Sequence, residues 1–328
     1  MKKYFSILFF LIFILLFCGC SFRRLQISKY QRPPTPVNGS LNKNITPEVI
    51  VQELKDGHFR TAEQMLNSYL VGETEDTFEL HLSMGIMYHR QNRLQAALAE
   101  YELCRSRVGT VKKALLKRDM YHNLATLHYD LNDFENAAYY FNKYKTLGGT
   151  EYDDSLIRFF ELFDRVPYQI DFQKQKTNVS MKYRMNVIKA RGSINSKEVD
   201  ILVDTAANFN IVSSKIAKKM GIKPVGIEAR VKGSKIGELT AGYGIIDSVQ
   251  IGDITVKNIP VVIIDSNRLT FKAFGILPYF KIEALLGLPF IRQFNITLDY
   301  KKKCFRLPFR IKMPGAHHSR AIFIFSII

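Results

Sequence analysis

At 328 residues and 47% hydrophobic content the chain is long enough for two domains and apolar enough to build a core in each, which excludes a disordered protein. The net charge is +17, and 27 lysines and arginines against 13 acids from Glu161 onward leave +14 of it in the second half. The charges are dispersed, and the densest run, "KKKCFR" from Lys301, lies in a β-patterned stretch with no recognition motif, so an anionic membrane surface or a plain solvated face accounts for them and no nucleic-acid partner is expected.

The first element is "MKKYFSILFFLIFILLFCGC", residues 1–20: two lysines, an uninterrupted apolar run, and a small residue before Cys20. It resembles a bacterial lipoprotein signal peptide. The resemblance implies acylation of Cys20 and a membrane-anchored protein of the cell envelope on the exported, periplasmic face. Phe17 and Cys18 depart from the usual Leu and small residue, and an uncleaved anchor is the alternative, although the run is shorter than the roughly 20 residues a spanning helix needs. Beyond the leader only Cys104 and Cys304 remain, in different predicted domains, so no disulfide framework is expected. The seven histidines show no ligand spacing, and neither a metal site nor a cofactor is proposed. Residues 21–44, polar and containing "RPPTP", read as a linker.

Thr46, Pro47 and Glu48 give an N-cap, a first-turn proline and a first-turn acid in helix-start order. From there to about residue 165 the apolar spacing is helical, and it repeats. In "GHFRTAEQMLNSYL", "NRLQAALAEYELC" and "NDFENAAYYFNKY" a turn residue (Gly57, Asn92, Asn132) precedes an apolar one by two positions (Phe59, Leu94, Phe134). An alanine follows (Ala62, Ala97, Ala137), then four residues later a large apolar side chain (Leu66, Tyr101, Phe141). This pattern is similar to the tetratricopeptide repeat, with a generic helical-hairpin bundle as the alternative. Either implies a helical domain over 45–165 whose concave face holds a protein partner.

From Met181 the pattern turns to strands, with a first hairpin turn at Asn195 to Lys197. One short helix follows in "SSKIAKKMGI", capped by Ser213 and ended by Gly221. Residues 180–310 are predicted to be a small β domain and 311–328 a tail.

The chemistry sits in "ILVDTAANFNIVSS": an apolar strand delivers Asp204 into a loop of small residues, and "ALLGLPFIRQFNITLDY" follows from Ala284. Together these resemble the retroviral-type (retropepsin-like) aspartic proteases, from about Tyr183 to Leu307. The fold class implied is a multidomain α + β chain: tetratricopeptide-like helices, then an all-β retropepsin-like half-barrel of the acid protease type. A lone carboxylate of ordinary pKa cannot both activate water and protonate a carbonyl, whereas two about 3 Å apart share one proton and divide the roles. Asp247, Asp253, Asp265 and Asp299 lack the following Thr or Ser and small residue. The resemblance therefore implies a homodimeric endopeptidase acting on peptides, with Asp204 catalytic in each copy, Thr205 bracing the active-site loop, and a flap around Gly233 and Gly237. Ala206 stands where the family has glycine, which leaves a second reading open: a lipoprotein scaffold whose β domain dimerises or binds peptide without cutting it.

Overall fold

The computed structural model describes residues 45–71, 75–109, 111–150, 154–172, 176–184, 187–205, 207–233, 237–273, 277–294, 296–299 and 304–308. The expectations for residues 1–44, including Cys20, for Ala206 and for the tail at 311–328 lie outside these residues. The chain divides into two compact units at residues 152 and 153.

The N-terminal unit is helical throughout its described residues: α1 (Pro47–Lys55), α2 (Phe59–Leu70), α3 (Phe78–Arg90), α4 (Leu94–Arg107), α5 (Ala114–Asp130) and α6 (Phe134–Thr146). The three turn residues read from the sequence share one conformation. Gly57, Asn92 and Asn132 have φ of 82°, 56° and 62°. The next amide in each case donates five residues back: His58 to Glu53 (2.9 Å), Arg93 to Tyr88 (2.8 Å) and Asp133 to His128 (2.8 Å). This is the Schellman turn, which satisfies the helix's last carbonyls and needs a residue that tolerates the left-handed region. Ala62, Ala97 and Ala137 are fully buried, with Leu66, Tyr101 and Phe141 buried beside them. Where α3 crosses α4, a Cβ on Gly85 would lie 2.5 Å from Tyr101 Cδ1, so the large ring requires the absent side chain. No helix among the described residues is long and apolar enough to cross a membrane.

The second unit opens with α7 (Asp154–Glu161), followed by β1 (Gln169–Phe172), β2 (Lys176–Arg184), β3 (Val187–Ile194), β4 (Lys197–Val203) and β5 (Ile211–Ser213). After α8 (Ser214–Met220) come β6 (Pro224–Gly233), β7 (Gly237–Ile251), β8 (Ile254–Ile264), β9 (Thr270–Ala273), β10 (Leu277–Lys281) and β11 (Ala284–Leu286). Then α9 (Leu288–Ile291), β12 (Thr297–Asp299) and β13 (Cys304–Pro308) end the described chain. The boundary lies earlier than the sequence pattern suggested. Although α7 and β1 precede residue 180, Phe159 stacks on Tyr243 at 4.7 Å and β1 pairs with β8, so both belong with the strands.

A larger correction concerns closure. The sequence reading expected half a barrel, but β3, β4, β11, β5, β8 and β7 follow one another in the sheet and β7 pairs back onto β3, closing a ring within one chain. The reason is the 15-residue length of β7, which pairs with β6 along its first half and still reaches β3 through Val249 and Gln250. Asn195, in the left-handed two-residue turn between β3 and β4, stitches the seam. Its amide donates to Ser248 O (2.9 Å) and its Oδ1 accepts from Ser248 N (3.0 Å). Ile194, Ile201, Ile246, Ile254 and Ile259 are among the fully buried side chains inside this barrel unit.

Candidate active site

Three strands position the Asp204 loop. The short β11 is buried along its whole length and lies between β4, with which it runs parallel, and β5, with which it runs antiparallel. The chain therefore leaves β4 on one side of β11, passes its end as residues 204–210, and returns as β5 on the other side. Asp204 follows Val203, the register partner of Leu286, and the Asp204 amide donates to the Leu286 carbonyl (3.1 Å). The loop is closed on itself by Ala207 N to Asp204 O (3.3 Å) and tied forward by Leu288 N to Ala207 O (2.8 Å).

Such a crossing leaves no room at its centre. A Cβ on Gly287 would fall on the Phe209 carbonyl oxygen and 2.6 Å from that of Ala207. Both are backbone atoms that cannot retreat without moving the loop, so the glycine of "LLG" is a steric requirement of the crossing. The gap is sealed by Asn210, which is 2% exposed. Its Oδ1 accepts from Gly287 N (3.0 Å), and its Nδ2 donates to Pro260 O (3.0 Å) and Tyr168 Oη (3.0 Å). Every polar atom of that buried amide is thus engaged. Sequence reasoning passed over Asn210, although a single polar residue inside the run "FNIV" is a usable sign of a buried polar bridge.

Asp204 is half-buried and Thr205 is exposed in the single chain. Gly233 and Gly237 are register partners closing the described part of the β6–β7 hairpin. Three of the other carboxylates named from the sequence are occupied elsewhere. Asp247 accepts from Arg165 (2.9 Å), Asp253 accepts from Thr177 (3.2 Å), and Asp265 accepts from the Asn267 amide (2.6 Å). On β4 itself, burial would push the Asp200 carboxyl up, but hydrogen bonds from Lys189 (3.1 Å) and Arg191 (3.3 Å) outweigh it and hold the group below its ordinary value. Asp200 is a fixed anion rather than a proton carrier. No cluster of metal-ligating side chains occurs among the described residues. A strand-end carboxylate in a tightly braced loop offers a general base or acid, and a second carboxylate of complementary protonation state would complete a water-activating pair.

Residues 190–290 match the family model described as aspartyl protease. This match supports an aspartic protease domain in the second half of the chain, and it contains Asp204, Asn210 and Gly287. Among solved structures, the chain is similar to a retropepsin-like aspartic protease from Rickettsia conorii, at 20% identity over 43% of this chain and 95% of that one, with a TM-score of 0.31. It is also similar to the retroviral protease-like domain of Ddi1 from Leishmania major, at 16% identity over 38% of this chain and 94% of that one, with a TM-score of 0.27. A search of curated proteins finds no match.

Proposed function

We propose that the chain is an exported, membrane-tethered aspartic endopeptidase that works as a homodimer, with Asp204 of each copy sharing one proton. One carboxylate draws a proton from the attacking water while the other donates to the scissile carbonyl. The observation that carries this reading is the strand-end Asp204 with its amide fixed to Leu286 O at a crossing that only glycine fits. Two further facts favour a second copy as the source of the second carboxylate: Asp247, Asp253 and Asp265 are engaged elsewhere, and Thr205 faces solvent in the single chain. The helical unit, whose three left-handed turns recur at equivalent positions, is read as tetratricopeptide-like repeats that hold a protein partner or present substrate. The anchor is acylated Cys20, so Cys20→Ala should leave an unprocessed precursor, read by mass spectrometry of the N-terminus.

The deciding experiment is cleavage of a random peptide library by the soluble part from Ser21 onward, between acidic and neutral pH. Asp204→Asn should abolish cleavage at unchanged fold, and sedimentation should give a dimer. An active strict monomer would overturn the shared-proton mechanism. Ala206, where the resembled family has glycine, favours a second reading as a peptide-binding scaffold. Ala206→Gly separates the two: the enzyme should gain kcat/KM, whereas a scaffold should bind library peptides and cut none before or after the change.

A further inference from the structure

The family match begins at residue 190, yet the braced loop draws on a side chain well upstream of it. Tyr168 lies between α7 and β1, in the left-handed region at φ 53°, and is buried to 6% exposure. The backbone around Tyr168 is fixed on both sides. Its amide donates to Asn258 O (3.3 Å), Asn258 Nδ2 donates to Val166 O (2.9 Å), and β1 directly follows as a strand on β8. The Tyr168 hydroxyl accepts from Asn210 Nδ2 (3.0 Å), and the opposite end of the same amide accepts from Gly287 N (3.0 Å). Gly287 is flanked by the two residues bonded to the catalytic loop, Leu286 to the Asp204 amide and Leu288 to the Ala207 carbonyl. A continuous path of hydrogen bonds and covalent bonds therefore runs from the segment upstream of the barrel to the backbone of Asp204.

We infer that Tyr168 is a positioning residue for Asp204, acting through Asn210 and Gly287, and that the working protease domain begins upstream of β1 rather than at the start of the matched segment. The inference rests on the aspartic protease reading of Asp204. Physically, the tyrosine oxygen fixes the plane of the Asn210 amide by engaging the Nδ2 hydrogen that Pro260 O does not take. With that oxygen removed, the amide is free to rotate about its remaining contacts, and its Oδ1 loses alignment on the Gly287 N–H. The loop then samples geometries in which Asp204 no longer matches its counterpart in the second copy, and small misplacements are costly in a reaction that depends on alignment.

The test is Tyr168→Phe in the full chain, which removes one oxygen and keeps the ring. Arg165→Gln serves as the control, because it removes an exposed ion pair to Asp247 in the same segment without touching the amide. Two experiments are run: amide hydrogen exchange at Gly287, and steady-state kinetics giving kcat and KM on library peptides. In Tyr168→Phe, Gly287 exchange should rise about tenfold relative to the β7 and β8 amides, and kcat should fall roughly tenfold at unchanged KM. Arg165→Gln should change neither. If wild type cuts nothing, the protease reading fails, and the exchange arm alone decides whether Tyr168 holds the loop. Unchanged Gly287 exchange overturns the inference. So does a uniform rise across the barrel, which would mark only global stability, or a local rise that leaves kcat intact. Should Tyr168→Phe not fold, Asn258→Gly takes its place. It keeps the left-handed turn at φ 56° while releasing Val166 O, and the same two readouts should move in the same direction by a smaller factor.

Discussion

The two units bring backbone close to a neighbour in opposite ways. In the helical unit the partners are near in sequence: Gly85 makes room for Tyr101, one helix further on, and the same turn recurs at Gly57, Asn92 and Asn132. In the barrel unit the partners are remote. Gly287 passes beneath the carbonyls of Ala207 and Phe209, and it is held by a side chain 77 residues upstream. The difference decides what a defect does. A stack of similar helix pairs confines damage to one interface and its neighbours, because each pair contacts only the next. The strand crossing occurs once among the described residues, so one misfit there displaces the Asp204 loop directly.

Gly287→Ala should therefore have the largest effect. The added carbon meets two backbone oxygens rather than a side chain that can rotate away, so a loss of about 3 kcal/mol or more is expected, at the upper end of overpacking costs. Urea unfolding of the full chain measures it, and cleavage should vanish with it. A stable, active Gly287→Ala protein would show that the loop can move, and the contrast between the units would disappear.

Gly85→Ala is the matching change in the helical unit and should cost about 2 kcal/mol, because the obstacle is the ring of the fully buried Tyr101. Here repair is available: Tyr101→Leu frees the space the new methyl needs. The double variant should recover about 1 kcal/mol relative to the sum of the single changes, and cleavage should be unaffected in all three proteins. Additive losses would mean that the crossing does not set the size of Tyr101.

This contrast also explains what could be read in advance. Helical spacing, the turn residues and the buried alanines are local signals, so Ala62, Ala97 and Ala137 and their large partners were legible as a repeating pattern. Asp204 and "LLG" were legible as two separate stretches, and the resemblance joined them. The hairpin turn at Asn195, the Ser213 cap and the left-handed Gly221 likewise follow from residues adjacent in the chain. Barrel closure was not legible, because pairing of Ser193 and Ile194 with Val249 and Gln250 leaves no pattern in either strand alone. Nor was the role of Asn210 or Tyr168. A polar residue's partner in the folded chain is set by topology, and Tyr168 carries no local feature that points 42 residues ahead. The early start of the barrel unit was missed for a related reason: the apolar spacing of α7 is helical, and spacing does not reveal which unit a helix packs on.

The smallest expected effect tests a local feature of the helical unit. Asp133 caps α6, its carboxylate accepting from the Asn136 amide (3.3 Å), the Asn136 side chain (2.8 Å) and His128 Nδ1 (2.8 Å). Burial by itself would raise this carboxyl; the hydrogen bonds from Asn136 and His128 outweigh it and hold the group below its ordinary value of 3.8. A carboxyl lowered on folding contributes stability that is fully present above its unfolded value and is lost as pH falls through the folded one. Helix unfolding followed by circular dichroism between pH 6 and pH 2.5 should therefore show a loss from this site only below about pH 4, on the order of 0.5 kcal/mol once solvent screening of a partly exposed group is allowed for. Asp133→Asn keeps a capping side chain and removes the titration, because asparagine caps a helix about as well as aspartate. That variant should show a flatter acid limb than wild type. Identical acid limbs in the two proteins would mean that the cap acts through geometry alone, with its charge contributing nothing to the third of the repeated turns.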